Sequence, residues 1–207
     1  DIPAIINHHI QSQRPYRAEK PVRNNLTAGI TFVLAAIGRV CMPTSKRGWW
    51  NWAKTTSVEY LLRHSLSKID SQHFWDLMDA LPVESIAKIE RELVEKTLKL
   101  YKPQSDTLFF DTTNFFTYID TTNLRSTIAR RGKNKQKRYD LRQVGLAMVV
   151  TRNDMIPVFH HTYEGNMADT AVFSAVIETI KDRMDALGLD REKHTVVFDR
   201  GNNSRSN

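Results

Sequence analysis

The spacing of apolar residues changes character near Pro103, and this change limits the fold more than any other property of the chain. Before it the pattern is helical. Leu26, Ile30, Val33, Leu34 and Ile37 fall three or four apart, the spacing that gathers side chains on one helix face, and Pro43 lies just beyond. The same reasoning predicts helices over 57–66, 71–80 (with Ser71 as the cap) and 83–100. The last has Ile86, Ile89, Leu93, Val94 and Leu98 on one stripe, and Glu92/Lys96 and Glu95/Lys99 four apart. After Asp106 the chain turns to β-branched and aromatic runs. These predict strands over 106–111, 115–120, 143–151 and 156–163, with a hairpin turn at Asn153-Asp154. A helix over 169–187, ended by Gly188, and a strand over 194–198 buried on both faces complete the series. The expected architecture is α/β (α+β): a helical N-terminal region, 1–102, followed by a domain, 103–207, with a mixed sheet and at least one parallel crossover.

The 207 residues suffice for one large or two small cores, and 41% hydrophobic residues exclude a disordered or fibrous chain. The net charge is +7, and it is not evenly spread. Residues 14–54 hold eight basic residues and one acidic, and residues 125–142 again hold eight and one. The other 148 residues carry 14 basic and 21 acidic groups, so each block is +7 against a remainder of −7. Concentrated positive charge points to a polyanion, most simply nucleic acid. Cys41 is alone, so no intrachain disulfide forms and a cytoplasmic location is expected. The longest apolar run, 28–38, is far short of the roughly 20 residues that span a bilayer, which leaves no membrane role.

Two apolar runs each lead into an aspartate, Leu108-Phe-Phe-Asp111 and Val196-Val-Phe-Asp199. A carboxylate at the end of a strand lies at the sheet edge where open α/β folds bind ligands. Two such acids on neighbouring strands would supply the oxygen ligands that Mg²⁺ takes. Asp followed by Thr or Gly also serves simply to start a turn. Asp106 and Asp120 rank lower, because Asp106 precedes the apolar run and Asp120 follows an exposed alternation.

The blocks Asp111-Thr-Thr-Asn-Phe-Phe-Thr-Tyr-Ile-Asp120, Arg131 to Leu146, Tyr163-Glu-Gly-Asn166 and Phe198-Asp-Arg-Gly-Asn-Asn-Ser204, with Pro43-Thr-Ser-Lys46, Trp52 and Thr56 upstream, resemble those of bacterial insertion-sequence transposases of the acidic DDE type. The resemblance implies a partial RNase H-like catalytic domain behind the helical region. It implies Asp111 as the first acid and Asp199 as the second, both catalytic ligands of Mg²⁺ (or Mn²⁺). It implies transposon ends and target DNA as partners, and a homo-oligomer in the full-length protein. In that family water attacks the phosphodiester at the element's end, and the freed 3′-hydroxyl then attacks target DNA. The third acid is a glutamate on a later helix, whereas here eight residues follow Asp199 and none is acidic. The chain is accordingly read as a fragment cut before the third acid, and inactive as such. Glu164 stands where relatives often have proline. Two other readings fit the same residues: another RNase H-like metal-dependent nuclease, and a non-catalytic DNA-binding remnant. Dependence on Mg²⁺ separates them.

The second basic block, including Arg130, Arg131, Lys133, Lys135, Lys137 and Arg138, falls in a loop expected beside the acids, and its plainest role is phosphate contact. In the first block, Lys46 and Arg47 adjoin Trp49, Trp50 and Trp52, which are read as packing residues. The 57–66 and 71–80 pair has the outline of a helix-turn-helix, though no glycine marks its turn. His8-His9 and His160-His161 lack partners at zinc spacing, and Cys41 lacks a neighbouring base, so these are assigned structural roles.

Overall fold

The computed structural model describes residues 1–11, 26–120 and 122–199, so Arg14, Arg17, Lys20 and Arg23 of the first basic block lie outside the described residues. The chain forms two compact units, 1–93 and 94–207.

The first unit contains α1 (Ile2–Gln11), α2 (Ala28–Cys41), α3 (Lys46–Ala53), α4 (Val58–Leu62), α5 (Ser71–Ala80) and the start of α6 (Val83–Tyr101). Short polar caps delimit these helices. Thr27 Oγ1 accepts from the Ile30 N–H, Ser45 Oγ from that of Gly48, and Asp70 from those of Gln72 and His73. Asp70, not Ser71, therefore caps α5: its carboxylate reaches two orphan N–H groups, while Ser71 is already helical. The helix expected over 57–66 is only five residues long, because Arg63 turns into the left-handed region at φ 53°. That is too short for one arm of a helix-turn-helix. Ile37 is exposed rather than on the core face of α2.

The core of this unit is Leu34, Trp49, Trp50, Ala53, Leu66, Ile69 and Phe74, and Trp50, 1% exposed, stacks on Phe74 with centroids 4.9 Å apart. Trp49 and Trp50 thus serve packing, with Trp52 partly buried against them, as read from the sequence. α1, which sequence pattern did not reveal, is tied in by polar contacts: Asn7 Oδ1 accepts from the Gly29 N–H at 2.8 Å and Ser85 Oγ donates to the His9 carbonyl at 3.0 Å.

The second unit is a four-stranded mixed sheet covered on one face by α7 (Asp169–Ala186). Its strands are β1 (Thr107–Thr117), β2 (Arg142–Thr151), β3 (Pro157–Glu164) and β4 (Thr195–Phe198), in the order β3-β2-β1-β4. β1 and β3 run antiparallel to β2, and β4 runs parallel to β1, so α7 is the parallel crossover expected from sequence. Val172, Val176, Ile180 and Met184, four residues apart, make one stripe of α7 and bury against Leu108, Phe110, Ala147, Val149, Phe159 and Tyr163. Each such side chain contributes roughly 1.5–3 kcal/mol on burial. Gly188, at φ 68°, then ends the helix: its N–H bonds the Asp185 carbonyl and that of Leu189 bonds Met184, both at 2.9 Å.

Two strand expectations are corrected. The runs 106–111 and 115–120 are one strand, since Thr112, Thr113 and Asn114 pair without interruption against Ala147, Leu146 and Gly145. The 194–198 run is not buried on both faces: β4 pairs with β1 alone among the described residues, and Val197 is 42% exposed.

Candidate metal and nucleic-acid site

Phe110 of β1 pairs in parallel register with Phe198 of β4, and α7 fixes both from below. The Phe173 ring contacts Phe110 edge-on at 5.1 Å and Phe198 at 4.4 Å. These contacts hold the two strands at one level on the covered face. Successive strand residues alternate between faces, so Asp111, next after Phe110, leaves by the opposite, open face. Asp199 follows Phe198 directly, one residue beyond the end of β4. Both aspartates are exposed. Asp111 is therefore not at a strand end, as sequence pattern suggested, but in mid-strand where β4 stops beside it; β1 continues because β2 goes on pairing with it.

One Asp111 oxygen accepts the Thr112 N–H at 2.8 Å, which orients the carboxylate and leaves the second oxygen for a ligand. On the open face the half-buried Phe109, Leu146, Met148 and Val150 surround Asp111. His160 shares this row through Met148, whereas His161 pairs with Ala147 and belongs to the other face. Burial, with the neighbouring His160 adding to it, holds the His161 imidazole below its ordinary pKa. Among the described residues no group of three or more His, Cys, Asp or Glu stands ready to hold a metal ion. Asp120 is engaged elsewhere: its Oδ1 accepts from the Thr122 N–H and hydroxyl, and these bonds keep its carboxyl below the usual range. Asp106 lies before β1, where its carbonyl accepts the Thr195 N–H at 2.8 Å.

The basic residues form the connection between β1 and β2. Thr117 pairs with Arg142, so this segment starts six residues beyond Asp111, about 20 Å along the strand. It is not beside the acids as expected. Instead it folds back at the β3 side of the sheet, where Arg130 and Gln143 exchange backbone hydrogen bonds at 3.1 and 2.8 Å. Arg130, Arg131, Lys133, Lys135, Lys137 and Arg138 are all exposed. Two of them already meet carboxylates: Arg130 lies 3.8 Å from Glu164, and Arg138 forks onto Asp140. The turn at 134–138 is built by Asn134, whose side chain accepts the Arg138 N–H at 2.8 Å and donates to the Gly132 and Arg138 carbonyls. Sequence reasoning gave no role to Gln143, which is 1% exposed beneath this segment. The signal was available as an amide at the head of the apolar run 144–150.

No helix of the described residues is long and apolar enough to cross a membrane. No protein-family model matches the chain, and no curated protein matches it. Among solved structures it is similar to the Mos1 transposase paired-end complex with left transposon end, at 10% identity and a TM-score of 0.31, over 94% of this chain and 57% of that one.

Proposed function

We propose that this chain belongs to a bacterial insertion-sequence transposase of the DDE type. It binds transposon-end and target DNA, and as a homo-oligomer the transposase cleaves and joins strands with Mg²⁺ (or Mn²⁺). The observation that carries this reading is the parallel register of Phe110 against Phe198, two paired residues each followed directly by an aspartate, Asp111 and Asp199. Two exposed carboxylates that follow paired strand residues are the hard oxygen donors that a small divalent cation prefers. They would hold such an ion as two of its ligands. When bound, such an ion activates water and offsets phosphate charge. The protein's own contribution is position. Phe173 packs on Phe110 and Phe198, the residues just before the two aspartates, and the basic segment supplies phosphate contacts that give affinity without sequence choice. The arrangement of three antiparallel strands with a parallel fourth beside the first supports an RNase H-like domain.

Paramagnetic Mn²⁺ tests the site on the chain as it stands. Amide signals of Phe110, Asp111, Thr112 and Asp199 should broaden first, Mg²⁺ should reverse the effect, and Asp111→Asn or Asp199→Asn should abolish it. Broadening that persists in both variants would sink the assignment.

A further inference from the structure

The proposed DNA reading leaves open how an exposed segment so rich in like charge keeps a defined shape, and Gln143 supplies the means. β3 ends at Glu164, paired with Val144, so the β2 backbone at Gln143 has lost its β3 neighbour. Arg130 takes that place through its two backbone bonds to Gln143. The Gln143 side chain, buried beneath, donates from Nε2 to the Gly165 carbonyl at 2.6 Å and to the Lys133 carbonyl at 3.1 Å. One amide thus joins the basic segment to the turn after β3. The Gly165 N–H donates to the Ile128 carbonyl at 3.2 Å, and the Arg130–Glu164 pair adds an exposed ion contact across the same seam. Approach is close enough to require glycine at 132, where a Cβ would lie 2.2 Å from the Gly165 oxygen and 2.9 Å from Gln143 Nε2.

Resting on the DNA reading, we propose that Gln143 is a positioning residue for nucleic acid. It touches no phosphate; it latches the backbone of 128–133 to the turn at 165, so that Arg131, Lys133 and the Asn134-built turn bearing Lys135 and Lys137 form a preset array. Like-charged side chains repel, and without a latch the segment would spread, so that binding would carry the entropy of ordering it. The latch meets that cost during folding. A charge run held by backbone bonds to a buried amide differs physically from a solvated loop, in which the same lysines would contact phosphates only by ordering on arrival.

The test uses the 207-residue chain in two unlatched forms, Gln143→Leu and Gly132→Val. The first removes the Nε2 donor, and the second wedges the seam apart while keeping it. Three readouts are taken: duplex DNA affinity, limited trypsin cleavage after Arg130, Arg131 and Lys133, and the thermal midpoint. The expected result in both variants is a loss of about tenfold in affinity with faster cleavage at those three bonds, with a thermal midpoint that is lowered but stays above the assay temperature. Wild-type affinity in a variant whose segment has become trypsin-sensitive would overturn the latch. So would weakened binding with an unchanged cleavage pattern. The parallel variant Lys133→Ala/Lys135→Ala/Lys137→Ala separates the two levels. If it weakens binding and the unlatched forms do not, the latch alone falls; if it binds DNA as the wild type does, the DNA reading falls and the latch's role with it.

Discussion

Arg138 reaches two residues along the chain to grip Asp140 with both Nε and Nη2, at 2.9 and 2.8 Å. This forked, charge-assisted contact holds the Asp140 carboxyl down to about 2 and raises the guanidinium above its ordinary value. Both groups are exposed, so the pair adds little to stability. Its sign is nonetheless fixed. A carboxyl depressed in the folded state contributes at pH above its unfolded pKa of about 3.9, and the contribution disappears as pH falls through about 2. Carboxyl-carbon NMR should therefore show Asp140 titrating near 2 in the wild type, and near its ordinary value in Arg138→Ala. A wild-type midpoint close to about 4 would mean that the fork does not persist in solution. The pair also ranks the cations. A phosphate approaching Arg138 competes with Asp140, whereas among the described residues Lys133, Lys135 and Lys137 belong to no ion pair with an acid of the β1–β2 segment that would have to be displaced.

β1 shows how an element can be visible in sequence and still be misread. Its residues Thr112-Thr-Asn114 look like a turn, because Asp and Asn favour turns locally. Pairing across ten positions of β2 outweighs that preference, and two Thr in the stretch favour extended backbone. α5, α6, α7, β2 and β3 were legible because each carries a long, regular apolar period. α1 was not, although Ile5 and Ile6 bury in the core, because its ten residues carry only a short apolar pattern and its polar ties to Gly29 and Ser85 are long-range. α3 was hidden by its composition: glycine and three tryptophans in eight residues read as poor helix formers, although they fill the core. The aspartates were legible as residues, and the register of the strands that lead to them was not. That register depends on the long-range pairing of β1 with β4 through the α7 crossover. A pair of substitutions tests the β1 register. Phe110, 2% exposed against Phe173, should cost about 3–5 kcal/mol as Phe110→Ala. Phe109, half-buried on the open face, should cost clearly less. Equal losses in denaturant unfolding would mean that the faces are assigned wrongly.

At the scale of the whole molecule the question is whether +7 acts as a net charge or as a placed one. A general attraction to DNA would scale with net charge wherever the charges lie. A placed array instead neutralises particular phosphates, and each phosphate left without its cation makes the dependence of log K on log salt shallower by about 0.9. Two triple variants distinguish these, because each lowers the net charge from +7 to +4. Lys133, Lys135 and Lys137 lie in the latched β1–β2 connection, whereas Lys88, Lys96 and Lys99 are exposed along α6. Alanine at the first three should flatten the salt slope for duplex DNA by about 2 to 3, and alanine at the second three should leave it near the wild-type value. Equal slopes for the two variants would assign the binding to overall charge and deprive the β1–β2 segment of its special part. A difference confined to the first variant would do the reverse. It would also explain why a chain whose remaining residues carry an acidic excess still reads as basic, since the positive groups would then be gathered where phosphates are held.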